Sequence, residues 1–273
     1  MIDILKAILF GIVEGITEWL PVSSTGHLIL LNQFITLSDN QAFLDMFNVV
    51  IQLGAILAVI VLFFRRLNPF CPKKSALEKK NTWNLWFKVV VAVIPSAVLG
   101  VALGGFLTDD PYIVSAALLV YGVAFLFVER WNRRRNFTIT AVEDIDYRTA
   151  LLIGAFQCLS LIPGTSRSGS TILGAILLGV SRTAGAEFSF FMAIPTMVGA
   201  SALEILGFLK DGGVMTGAET VILLTGCTVS FLVSLLVIRS LMEFVRKRSF
   251  AVFGVYRIVL AVVLLVYFTL AGV

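Results

Sequence analysis

Histidine occurs once in 273 residues, at His27, and cysteine three times, at Cys71, Cys158 and Cys227. A single histidine excludes any mechanism that needs two. An odd number of cysteines without metal-ligand spacing argues against a disulfide framework and leaves them as small apolar fillers. Charge is scarce as well. Only 14% of the chain is Asp, Glu, Lys or Arg, against 58% hydrophobic residues and a mean hydropathy of +0.97. A soluble domain of this length does not need so much apolar surface, so the composition describes a polytopic membrane protein. The net charge of +4 and pI near 9.1 do not point to nucleic acid, because the basic residues lie in loops between apolar runs. Nor is a signal peptide expected: residues 1–10 carry Asp3 and Lys6, and no small-residue cleavage site follows a clean apolar run.

What is present is a set of long apolar runs and two polar interruptions. Six runs are long enough to span a bilayer, at 43–64, 86–107, 112–128, 186–208, 220–238 and 250–270. Lipid leaves no water for an open backbone, so all six should be helices. Two other regions, 2–35 and 148–180, each hold an apolar arm, a Pro/Gly/Ser-rich break and a second short arm. The loop after the first span carries Arg65, Arg66, Lys73, Lys74, Lys79, Lys80 and Lys88. The loop after the third carries Arg130, Arg133, Arg134, Arg135 and Arg148, and the loop before the last carries Arg239, Arg246, Lys247 and Arg248. These loops should be cytoplasmic. Region 148–180 then enters and returns on the cytoplasmic side, and with an external N-terminus 2–35 becomes a matching hairpin from the other face. A shift of 143 residues places Gly11 on Gly154, Glu14 on Gln157, Ser23 on Ser166 and Gly26 on Gly169, and a shift of 141 places Phe47 on Phe188. The expected fold is therefore all-α, an inverted-topology repeat. Residues 1–140 and 141–273 form its halves, each a re-entrant helical hairpin plus three transmembrane helices, with the site near the midplane where the broken helices meet.

The first break, EGITEWLPVSSTGH, contains Glu14 and Glu18 at i, i+4, which stacks them on one helix face. Two carboxylates in low dielectric require a cation, a basic partner or a shared proton, and ionisable groups inside an apolar segment read as functional. Pro21 should end the arm, and Ser23, Ser24, Thr25 and Gly26 stand where helix N-caps stand, directly before His27. The second break, PGTSRSGST, supplies Ser166, Arg167, Ser168, Gly169, Ser170 and Thr171 ahead of another short arm. A helix N-terminus rich in glycine and hydroxyls suits an anion, and an arginine fork suits phosphate oxygens. Arg167 has a structural alternative, pairing with Glu14 or Glu18. Arg257, in the last span, is open to either role, and Asn48 and Gln52 read as interhelical hydrogen bonds. A diphosphate uses both parts of such a site, with Mg2+ or Ca2+ on Glu14 and Glu18. Ser24, His27 and a metal-bound water are the available nucleophiles.

Together EGITEWLPVSSTGH and PGTSRSGST resemble the signature stretches of the undecaprenyl-diphosphate phosphatase family, the bacitracin-resistance proteins of bacteria, and the likeness extends over the whole chain. The resemblance implies hydrolysis of undecaprenyl diphosphate to the monophosphate, recycling the lipid carrier for wall polymers. It implies Glu14, Glu18, Ser24, His27 and Arg167 as the functional set and a site open to the outer face of the bacterial plasma membrane. Phosphatidic-acid-type membrane phosphatases use two histidines, which this chain does not have. The expected partners are a polyprenyl diphosphate lipid and the bilayer, without nucleic acid, and a homodimer is compatible with them. The rival class is an inverted-repeat transporter or flippase for a phosphorylated lipid. A carrier needs Arg167 and helix dipoles but not a hydroxyl–histidine array against paired carboxylates. A mere scaffold would leave the buried charges unexplained.

Overall fold

The structure, a computed structural model, describes residues 2–103, 110–133 and 136–271. Among them are eleven α-helices: α1 (Ile2–Thr17), α2 (Ser24–Phe34), α3 (Gln41–Leu62), α4 (Phe64–Leu67), α5 (Ala76–Leu103), α6 (Pro111–Asn132), α7 (Tyr147–Cys158), α8 (Arg167–Leu177), α9 (Arg182–Lys210), α10 (Gly217–Lys247) and α11 (Ala251–Ala271). No strand occurs among the described residues, only an isolated bridge between Ile139 and Val180. Six helices, α3, α5, α6, α9, α10 and α11, are long and apolar enough to cross a membrane, and they present Val98, Val101, Leu224 and Leu236 outward. The chain is a multi-pass membrane protein of helices.

The six helices coincide with the six expected spans, but most run further. α5 begins at Ala76 rather than 86, because Ser75 and Glu78 exchange cap bonds (Ser75 N–H to Glu78 Oε2, 2.7 Å; Glu78 N–H to Ser75 Oγ, 3.2 Å). α10 continues to Lys247, nine residues beyond 238, and is opened by a capping box between Thr216 and Glu219. Hydropathy marks where lipid ends, whereas hydrogen bonding decides where a helix ends. The expected end of the second span, 104–107, and the loop residues Thr108, Asp109, Arg134 and Arg135 lie outside the described residues.

The four helices of the broken regions are short. At about 1.5 Å per residue, the 16 residues of α1 rise about 24 Å and the 11 or 12 of α2, α7 and α8 about 17 Å, against an apolar thickness of about 30 Å. α1 lies on α10 and α7 lies on α5; α3 packs on α9, and α6 on α11. Glycines bring the first two pairs together. A Cβ on Gly11 would sit 2.7 Å from the Gly226 carbonyl oxygen of α10, and one on Gly154 would sit 1.9 Å from the Ala92 carbonyl oxygen of α5. α8 is enclosed, with every residue from Ser168 to Ile176 buried, and its apolar face joins Phe188, Phe190 and Phe191 of α9 in the main core.

Polar contacts tie the helix ends into two groups. At one, Lys6 donates to the Thr36 carbonyl (2.7 Å), and Ser38 and Asn40 donate to Glu219. This joins the starts of α1, α3 and α10 with the end of α2. At the other, Arg66 bridges Glu143 and Glu187, each at 2.6 Å, Lys88 donates to the Glu143 carbonyl, and Arg182 pairs with Glu129, which also accepts from the Phe250 N–H. Thr138 N–H donates to the Gly179 carbonyl (3.0 Å), which fastens the end of the α7–α8 region beside its own approach segment.

Candidate active site

α1 stops at Thr17, four residues before the expected stop at Pro21. The residue preceding a proline is pushed out of helical geometry, so unwinding begins upstream of Pro21. Glu18 N–H still reaches the Glu14 carbonyl (3.0 Å), which keeps the two carboxylates in helical register although Glu18 has left the helix. Beyond it, Ser23 caps α2 and Ser166 caps α8, with Oγ accepting from Gly26 N–H (3.3 Å) and Gly169 N–H (3.1 Å). Both serines adopt positive φ, 73° and 72°, and they are the only non-glycine residues to do so among those described. Such a conformation costs about 1–3 kcal/mol and persists only where the surroundings enforce it.

The two breaks meet. Glu18 is the junction: its Oε1 accepts from Arg167 Nη2 (2.8 Å) and its Oε2 from Ser24 Oγ (2.8 Å), and it is 5% exposed. The sequence left Arg167 free to grip phosphate or to pair with either carboxylate, and it pairs with Glu18. Its Nη1 donates to the carbonyl (2.7 Å) and Oγ (3.2 Å) of Ser189 on α9, and its guanidinium stands 5.8 Å from the Trp19 ring centre. The Arg167 Nε is buried with no hydrogen-bond partner.

Ser168 Oγ donates to the Glu18 carbonyl (3.2 Å) and lies 3.2 Å from Ser166 Oγ. Ser170 Oγ returns to the Ser166 carbonyl (3.0 Å), and Thr171 Oγ1 to the Arg167 carbonyl (2.9 Å) and to Ser189 Oγ (2.7 Å). Ser168, Ser170 and Thr171 are thus occupied in fixing the second break. Thr25 is half-buried and Gly26 buried in the first turn of α2. His27 is half-buried, with Nδ1 2.7 Å from the Ser23 carbonyl oxygen and Nε2 2.6 Å from the Tyr256 hydroxyl.

Glu14 is fully buried beside Glu18; no N–H or hydroxyl of the protein donates to its carboxylate oxygens, so only a proton shared with Glu18 can hydrogen-bond them, and the charges acting on it are those of Glu18 and Arg167. A buried carboxylate without a donor requires a cation or a proton. Among the described residues no three His, Cys, Asp or Glu side chains converge, so Glu14 and Glu18 are the carboxylates this site offers a cation. Gln157, which the 143-residue shift sets against Glu14, instead donates to Ser96 Oγ (2.6 Å) and Thr196 Oγ1 (3.1 Å).

Three participants were not assigned from sequence. Arg257 is completely buried and donates to the carbonyls of Pro21 (3.2 Å), Gly164 (2.9 Å) and Thr165 (3.0 Å), tying the first break to the second. Its charge inside an apolar run was the available sign. Ser189 and Tyr256 carried no sign, because only packing brings them near.

A carboxylate joined at once to a hydroxyl and a guanidinium, between two buried helix N-termini, is equipped for phosphoryl chemistry. A family model described as bacitracin resistance protein BacA matches residues 7–263. The undecaprenyl-diphosphatase of Lactiplantibacillus plantarum is 54% identical over 273 residues, covering 99% of each chain. That of Streptococcus thermophilus is 53% identical over 270 residues, 98% of this chain and 94% of the relative. That of Latilactobacillus sakei is 52% identical over 267 residues, 97% of each. With that coverage, the chain belongs to the bacitracin resistance protein BacA family.

Proposed function

We infer that this protein is an undecaprenyl-diphosphatase, an integral membrane hydrolase that converts undecaprenyl diphosphate to undecaprenyl phosphate and inorganic phosphate. Its product is the lipid carrier reused in wall synthesis, and its activity confers bacitracin resistance. The observation that carries the chemistry is the pair of 2.8 Å bonds from Ser24 and Arg167 to the two oxygens of Glu18. Ser24 Oγ attacks the terminal phosphorus as Glu18 takes its proton; the Oγ–P bond forms and the bond to the bridging oxygen breaks, releasing undecaprenyl phosphate. Water then cleaves the phosphoserine and frees phosphate. Arg167 offers its unused Nε–H to a phosphate oxygen, and the N-terminal amides of α2 and α8 add further donors. Ser24 is favoured over His27 as nucleophile because both ring nitrogens of His27 already have partners. Glu14, with Glu18 beside it, would hold Mg2+ or Ca2+, and such an ion would neutralise charge on the diphosphate.

The same reading places the two broken regions as re-entrant hairpins from opposite faces, in an inverted repeat. The start of α1 and the end of α2 share one group of helix ends, whereas the α7–α8 region begins and closes at the other. The exchange of α1 on α10 for α7 on α5, the glycines at 11 and 154, and the matching serine caps at 23 and 166 support the repeat. The group of ends around Arg66 carries the basic loops and is assigned to the cytoplasm of a bacterial cell, with the site opening outward. One chain supplies every site group, so no second copy is required.

Purified protein in detergent should release phosphate from undecaprenyl diphosphate without any gradient, lose the activity to a chelator and regain it with Mg2+ or Ca2+. The absence of release would overturn the hydrolase assignment in favour of lipid transport.

A further inference from the structure

The carbonyl oxygen of Ser23 can only accept, so the His27 nitrogen 2.7 Å from it, Nδ1, carries the ring proton. In the neutral ring Nε2 then presents its lone pair, and the Tyr256 hydroxyl at 2.6 Å donates to it. The two rings lie parallel, 4° apart with centres separated by 5.7 Å, so the plane of the imidazole is fixed as well as its tautomer. Tyr256 precedes Arg257 on α11, and Arg257 holds the Pro21 carbonyl. Consecutive residues of one helix therefore fasten two carbonyls of the first break, Pro21 directly and Ser23 through His27. The residue so fastened is the serine held at φ 73°, a conformation that relaxes when its supports are removed. Ser24, whose Oγ is aimed at Glu18, comes next in the chain.

We propose that Tyr256 is a positioning residue of the hydrolysis: it locks His27 in the Nδ1–H form and, through the Ser23 carbonyl, holds Ser24 in line with its base. The proposal rests on the hydrolase assignment above. A tyrosine that is 44% exposed on a membrane helix has a plainer use as an interfacial aromatic, for which the ring suffices and the hydroxyl is dispensable. Tyr256→Phe separates the two, since it keeps the stacked ring and removes only the hydroxyl.

His27 is the sole histidine, so 15N-imidazole labelling of the full chain in detergent gives signals from this ring alone. The wild type should show one neutral tautomer with the proton on Nδ1. In Tyr256→Phe the Nε2 resonance should move toward that of an unbonded imine nitrogen, and kcat should fall about tenfold with KM nearly unchanged, the mark of a misplaced reacting group. An unmoved Nε2 resonance, a wild-type proton on Nε2, or an unchanged kcat would each overturn the proposal. If the wild type itself releases no phosphate, the hydrolase assignment fails instead, while the nitrogen resonances still report on the Tyr256–His27 bond.

Discussion

Glu18 accepts from Ser24 with one oxygen and from Arg167 with the other, which sets what each substitution will do. Glu18→Ala would leave the Arg167 charge buried and unpaired, costing about 3–5 kcal/mol of stability, and loss of activity would then be confounded with loss of fold. Glu18→Gln keeps a carbonyl oxygen toward one partner and removes the base. Phosphate release should fall about a thousandfold for Glu18→Gln and for Ser24→Ala, and about a hundredfold for Arg167→Lys, which cannot fork between Glu18 and Ser189. Steady-state assays beside melting curves check this, and wild-type rates in Ser24→Ala would remove Ser24 from the mechanism. At this scale the first-break glutamates, the hydroxyl run and Arg167 were legible, because charges and clustered hydroxyls have no cheap place in an apolar run. The pairing of Arg167 with Glu18 rather than Glu14 was not, since both carboxylates offered the same chemistry.

At the level of helices, apolar runs located all six long ones but missed their ends. Ser75 with Glu78 and Thr216 with Glu219 extend helices through turns that hydropathy reads as loop. The early end of α1 escaped for a related reason, because a proline acts on the residues before it. Close helix contact is more sharply encoded. Gly154 meets the α5 backbone with no space for a methyl group, so Gly154→Ala should destabilise the protein by about 3 kcal/mol, read as a lowered Tm in detergent. An unchanged Tm would mean that α7 and α5 separate freely.

Across the whole molecule, basic loops and the 143-residue offset were enough to propose two hairpins entering from opposite sides. Which helices lie against one another was beyond the sequence, since nearly every span is apolar all round. Cysteine labelling with an impermeant maleimide in intact cells tests the arrangement. In a background lacking Cys71, Cys158 and Cys227, Asp3→Cys and Asp39→Cys should both react from outside. Asp144→Cys and Thr183→Cys should react only after permeabilisation. A hairpin that ran straight through would separate the members of its pair. Arg257 has a further bearing on how the protein is made. Its guanidinium clasps both breaks from α11, which leaves the ribosome after the other ten described helices. A nascent chain can therefore insert, pair its earlier helices and still be unable to cut a phosphoanhydride until α11 docks, so catalytic competence waits on that helix.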